Sequence, residues 1–163
     1  MDAGNDILIR LYGINDYTDA FRALKEQGIV IKRVMDVNDS EVVDFVKTNF
    51  SAIWAEEVRF ALFNRNCHVA VDGTKIVGFF CIQATAPEFF GPIGVLPEYR
   101  GKGIASALLH KAVLLMKDRG YKYMVSGATR GPMARIIKRH YATIEIPESI
   151  GSYEDLLDPS IVD

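Results

Sequence analysis

Cysteine is scarce in this chain of 163 residues, which holds only Cys67 and Cys81. Neither has the spacing of a zinc motif, and both sit in strand-like apolar runs, so they read as core thiols rather than as a disulfide or a nucleophile. The three histidines, His68, His110 and His140, are scattered, and no metal site is expected. Neither sign of charge is in excess. With 19 basic and 21 acidic residues the net charge is −2, which gives no general reason to expect nucleic acid or an anionic membrane as partner. No apolar run approaches the roughly 20 residues of a membrane span. The start, Met1 to Asp6, has neither the basic n-region nor the apolar h-region of a leader. The expectation is a soluble, cytoplasmic protein.

What the chain does have is 49% hydrophobic and 25% charged residues, the balance of a globular domain. One domain over residues 1–163 is expected. Ile7 to Tyr12 reads as an edge strand, and Asp16-Tyr17-Thr18-Asp19 caps a helix that closes at Gly28. Ile29 to Val37 reads as a strand, a helix runs from Asn38 to near Phe50, and another spans Ala52 to Phe63. Asp72-Gly73 separates the strands Cys67–Val71 and Lys75–Gln83 as a tight hairpin turn. Phe89–Leu96 is a strand, and Ile104–Arg119 a helix with Ile104, Leu108, Leu109, Ala112, Leu115 and Met116 on one stripe, stopped by Gly120. Tyr121–Ala128 returns as a strand, Gly131-Pro132 opens a helix, Ala142–Ile146 is a last strand, and a turn of helix is expected over Tyr153–Leu157.

The most informative run is Val95 to Leu109, a strand end, a turn with Gly101 and Gly103, and an amphipathic helix. The glycines let the backbone turn without Cβ clashes, and the unpaired amides of the first helical turn, with Arg100 and Lys102 nearby, suit a phosphate or pyrophosphate. A P-loop is excluded: no glycine stands five residues before Gly101, and Gly103 occupies the hydroxyl position. A dinucleotide fingerprint fits poorly, because Ser106 replaces the third glycine and no carboxylate occurs between Asp118 and Glu145. The pattern Arg/Gln-x-x-Gly-x-Gly/Ala is met by Arg100, Gly103 and Ala105 after Val95-x-Pro97.

At these residues the chain resembles the GCN5-related N-acetyltransferases (GNAT), which bind acetyl-CoA. The similarity extends from about Ile7 to Tyr153, through Trp54-Ala55-Glu56-Glu57-Val58, Gly78-Phe79-Phe80-Cys81, Phe89-Phe90-Gly91-Pro92, Gly131-Pro132 and Ile146-Pro147-Glu148-Ser149, and looks like a bacterial branch of the family. The resemblance implies an α/β (α+β) fold with a mixed, largely antiparallel sheet flanked by helices and a splayed parallel strand pair. It implies acyl transfer from the acetyl-CoA thioester to a primary amine of a small molecule or peptide. A homodimer is compatible with this reading, and no nucleic-acid or membrane partner is expected.

The cofactor-binding residues it implies are Ile93, Gly94 and Val95, whose backbone would meet pantetheine and the acetyl oxygen, and Arg100, Gly101, Lys102, Gly103, Ile104, Ala105 and Ser106 around the phosphates. Pro92 either breaks the ladder there or occupies an edge position without a role. The basic run Arg135, Lys138, Arg139 and His140, with Arg130 before it, is either a solvated face or a contact for phosphates. Relatives place a proton-donating tyrosine about four residues after an alanine in this helix, but counting from Ala134 lands on Lys138. Tyr141 is the nearby substitute for that acid, or an ordinary core aromatic. Glu57 and Glu88 are the candidate general bases, with a water relay as the alternative. Phe50, Trp54, Phe89 and Phe90 are expected to border the acceptor. A non-catalytic acyl-CoA-binding module is the competing reading, motivated by the missing tyrosine.

Overall fold

The computed structural model describes residues 4–149 and 155–162. Seven strands form one sheet: β1 Asp6–Arg10, β2 Ile29–Arg33, β3 Cys67–Asp72, β4 Lys75–Ile82, β5 Phe89–Val95, β6 Tyr123–Ser126 and β7 Thr143–Ile146, in the order β2-β3-β4-β5-β6-β1-β7. All neighbours are antiparallel except β5 and β6, which pair in parallel at Phe89 with Val125 and Phe90 with Ser126. The fold is therefore the mixed, mainly antiparallel α/β arrangement expected.

Five α-helices flank the sheet among the described residues: α1 Thr18–Glu26, α2 Asp39–Asn49, α3 Ala52–Phe63, α4 Ile104–Asp118 and α5 Gly131–His140. Alternation along β4 divides the core. Phe80 and Ile82 pack with Leu24 of α1, Leu108 and Ala112 of α4 and Ile137 of α5, whereas Phe79 and Cys81 pack with Val42 and Val46 of α2 and Val58 and Leu62 of α3. Burying each such large side chain contributes about 1.5–3 kcal/mol, so both faces are needed to hold the sheet. Cys67 and Cys81 face each other across β3 and β4, and both thiols are free and buried.

The departures from the sequence reading are non-local. The first strand is not at an edge: β1 lies between β6 and β7, and the edges are β2 and β7. The strand begun at Ile29 stops at Arg33, because Asp36–Asn38 winds into a 3₁₀ turn that leads directly into α2. β6 is also short, ending at Ser126 where the chain turns away. The tail helix expected over Tyr153–Leu157 begins at residues outside those described, and Asp155–Leu157 form a turn and bends.

Two histidines are built into the core. The His110 ring on α4 is 2% exposed, stacks on Tyr17 at 3.7 Å, and brings Nδ1 within 2.6 Å of the Tyr141 hydroxyl. Burial, then the nearby His140, pushes its pKa down to about 4. His68 on β3 is 5% exposed and stacked on Phe80; burial, with the positive charges of Lys111, Arg33 and Arg119, also brings it to about 4. An unfolded histidine takes up its proton near pH 6.5. Protonation therefore favours the unfolded chain, and stability that is intact above pH 6.5 falls as the pH drops toward 4. Denaturant titrations at pH 7 and 4.5 should differ by several kcal/mol, with an upper limit of about 3 kcal/mol per histidine. In NMR titrations the His68 and His110 rings should not respond above about pH 5; a normal midpoint near 6.5 for either ring would show that its neutral, buried state is wrong.

Candidate active site

The turn between β5 and α4 begins with a 3₁₀ segment, Pro97–Tyr99, closed by bonds from Tyr99 N to Leu96 O and from Arg100 N to Pro97 O. Gly101 (φ 78°) and Gly103 (φ 84°) then place the backbone in the left-handed region, where an L side chain costs about 1–2 kcal/mol. Gly103 caps α4, and its carbonyl accepts from Ala107 N at 3.1 Å. The amides of Ile104, Ala105 and Ser106 have no carbonyl one turn earlier to bond. A Cβ added at Gly101 or Gly103 would meet nothing within 4 Å, so the space beside both glycines is open. Arg100 and Lys102 are both exposed at this turn. The Lys102 Nζ lies 5.5 Å from the Tyr99 ring, and its carbonyl accepts from Gln27 Nε2 at 3.2 Å, which ties the turn to the end of α1. Tyr99 is fixed in turn by its hydroxyl bond to Asp72 Oδ2 at 2.8 Å.

Upstream of the turn, β5 loses its parallel partner after Phe90. The Val125 amide donates to the Glu88 carbonyl at 2.9 Å, closing the narrow end of a V, and no further β5–β6 pairing follows. The opposite ladder shows which backbone groups are left. Leu96 N donates to Val77 O, so Val95 and Gly78 form a non-hydrogen-bonded pair; the alternation then makes Gly94 bond Phe79 and makes Ile93 another non-bonded residue. Ile93 and Val95 thus turn their N–H and C=O groups into the V. Pro92, on the irregular stretch of β5 opposite Cys81, brings no N–H of its own.

A cleft of about 340 Å³ occupies the V. Trp54 and Glu57 of α3, Thr85, Phe89 to Ile93 of β5, Ser126 to Arg130 after β6, and Met133 of α5 line it. Glu57 is held by the Thr85 hydroxyl, which donates to its Oε1 at 2.9 Å, while burial pushes the carboxyl pKa up and that hydrogen bond partly offsets the shift. The Ser126 and Thr129 hydroxyls pair at 2.5 Å. The loop they belong to is pinned by the start of β1, because the Asp6 carboxylate accepts from Ala128 N at 2.8 Å and Asn5 O from Thr129 N at 3.1 Å.

The structure brings Glu57, Trp54, Phe89, Phe90, Pro92 and Ile93 together along one cleft and places other candidates elsewhere. Glu88 is exposed and outside the cleft lining, and only its carbonyl serves the V. Tyr141 is buried at the end of α5 against His110 and Tyr17, away from the cleft lining; burial and Tyr17 push its hydroxyl pKa upward. Gly94 uses its backbone on Phe79, and its missing side chain instead makes room for Phe50. Phe50 packs behind Trp54 at 5.9 Å rather than lining the cleft. Lys138 is engaged with Glu145 at 2.9 Å. Thr85, Ser126, Thr129 and Met133 were not expected, since short polar residues and one methionine carry no periodic or motif signal.

Residues 63–140, which hold the open glycine turn and the split strand pair, match the family model described as an acetyltransferase (GNAT) domain. Over those residues the chain is similar to a GNAT acetyltransferase domain. No curated protein matches the sequence. Among solved structures, the fold is similar to a GCN5-related glucosamine N-acetyltransferase region of a fungal multi-domain GH3 β-N-acetylglucosaminidase (TM-score 0.69, 15% identity, 87% of this chain and 20% of that one). It is also similar to a GCN5-related N-acetyltransferase from Sphaerobacter thermophilus (TM-score 0.66, 21% identity, 88% and 50%). A GNAT family acetyltransferase from Brucella melitensis, solved with acetyl-CoA, aligns at TM-score 0.55 and 17% identity over 74% of this chain and 90% of that one. The chain thus spans a fifth and a half of the length of the first two. Identities this low speak for the fold, and the GNAT fold is what they share.

Gly94 offers a direct test of the packing behind the cleft. A Cβ there would fall 2.5 Å from Phe50 Cε1, and that ring is hemmed in by Phe45, Trp54 and Phe79. Gly94→Ala should cost about 1–3 kcal/mol by overpacking and lower the melting temperature by several degrees. An unchanged melting temperature would mean that Phe50 does not occupy this place.

Proposed function

We propose that the protein transfers an acetyl group from acetyl-CoA to a primary amine, the observation carrying this being an open amide turn at the N-terminus of α4 that follows a strand with free backbone along a cleft holding a half-buried carboxylate, Glu57. Two features fit the cosubstrate: the turn at Gly101 and Gly103, with open space beside both glycines, and the N–H and C=O groups that Ile93 and Val95 turn into the V. The thioester supplies an activated acyl group. The protein then has to bind, orient and handle protons.

The amides of Gly101 to Ser106, with Arg100 and Lys102, hold the phosphates through dipole and charge. Backbone of Ile93 and Val95 pairs with the pantetheine amides, and an N–H there polarises the acyl oxygen. Glu57 acts as the general base. Its raised pKa lets it take a proton from the acceptor ammonium, after which the amine nitrogen bonds to the acyl carbon, the C–S bond breaks, and the second amine proton leaves to solvent or to the sulfur. Among the described residues no tyrosine lines the cleft, and the thiolate leaves without a strong acid because a thiol pKa is only about 8.5. That absence also favours the second reading, an acyl-CoA-binding module without turnover. Following free thiol with acetyl-CoA and a series of amines decides between them: turnover supports the enzyme, and tight CoA binding with no turnover of any amine supports the module.

Gly103→Val should leave the fold intact at a cost of about 1–2 kcal/mol and weaken CoA binding more than tenfold, about 1.4 kcal/mol, by calorimetry. Equal affinity in a folded variant would move the phosphates away from this turn. Glu57→Gln keeps the Thr85 hydrogen bond and removes the base, so kcat/KM should fall by roughly 10²-fold or more. The wild-type rate should decline as the pH falls through the raised Glu57 pKa, above the usual 4.5 of a glutamate, and that decline should be missing in the variant. An identical acidic limb in both proteins would assign the base elsewhere.

A further inference from the structure

We infer that the acceptor is an arylalkylamine, a single ammonium group on a short aliphatic arm attached to a flat aromatic body; this rests on the reading of the cleft as an acyl-transfer site. The charge count comes first. Among the described residues lining the cleft, Glu57 is the one carboxylate, and the other charged residue, Arg130, is basic. A polyamine or aminoglycoside brings several ammonium groups, each of which must be desolvated against its own acceptor. A cleft with one carboxylate offers a place for one.

The walls select the rest of the molecule. Trp54 is fixed from behind by Phe50 at 5.9 Å and by Phe79 at 6.2 Å, so its ring is a set surface rather than a mobile one. Phe89 is seated on Gly127, where an added Cβ would come within 2.9 Å of Cε1. Both residues line the same cleft as Glu57, together with Phe90. Rigid aromatic faces favour an offset or edge-on aromatic partner over a flexible chain, and they also attract the ammonium of an amine lying over them. Thr85 holds Glu57 beside these rings and so fixes the place of the ammonium relative to the ring of the acceptor.

The full-length protein with acetyl-CoA should be assayed by thiol release against 2-phenylethylamine, hexylamine, spermidine and kanamycin at one pH. The expected result is a kcat/KM for 2-phenylethylamine at least tenfold above each of the others. Trp54→Leu should reduce the value for 2-phenylethylamine at least tenfold more than that for hexylamine, chiefly through KM. A preference for spermidine or kanamycin in the wild-type protein overturns the inference while upholding acyl transfer, whatever the variant does. Calorimetric binding of 2-phenylethylamine to the CoA complex in preference to spermidine, with no turnover of any amine, upholds the arylalkylamine and overturns transfer. Absence of both binding and turnover overturns the two together.

Discussion

Backbone polar groups in a sheet need partners, and the cleft exists because β5 is deprived of one. Pairing with β6 ends at Phe90, and from there the N–H and C=O groups of Ile93 and Val95 face a gap. Left dry and unbonded they would cost about as much as lost hydrogen bonds, so a polar occupant is favoured before any side chain contributes. The other ladder of β5 remains intact, with Gly94 bound to Phe79, and this keeps the exposed groups in a fixed line. The gap is rigid because only one side of the strand was released.

Small residues make that rigidity possible. Gly94 admits the ring of Phe50, which backs Trp54, and Gly127 admits the ring of Phe89. In both cases the absence of a Cβ on a strand sets the position of an aromatic side chain at or behind the cleft. Glu57 lines the cleft with these residues and accepts from the Thr85 hydroxyl, while its partial burial favours the protonated form. The aromatic packing and the altered acidity therefore have one origin, the closing of α3 over β5.

Much of this was legible in the sequence where the signal was local. The turn at Gly101 and Gly103 could be read because positive φ almost requires glycine, and α4 because its apolar stripe repeats with the helical period. The Asp72-Gly73 hairpin was equally clear. Strand order was not, since nothing in Ile7 to Arg10 indicates that β7 will return to cover its outer edge. Glu57 and Glu88 look alike in sequence, and only the packing of α3 separates a cleft carboxylate from a solvated one. Tyr141 could be read as a proton donor or as a core aromatic, and only the packing places its ring at the end of α5 against α4, hydrogen-bonded to His110. Gly94 falls on the expected strand, and the space its missing Cβ leaves for Phe50 carries no local sequence signal.

The floor of the cleft is tied by bonds between chain segments that are far apart in sequence. Ala128 is held by Asp6, Thr129 by Asn5, and the Asp6 amide in turn donates to Ser149 at 2.7 Å. More than a hundred residues separate the partners of each bond. Contacts of such long loop closure form late, after the local helices and the β3–β4 hairpin have taken shape. On a ribosome the turn at Gly101 and Gly103 would be complete while the cleft still lacked its floor. In a nascent chain the glycine turn would therefore stand before the loop after β6 is tied down, and that tying waits for the last strand.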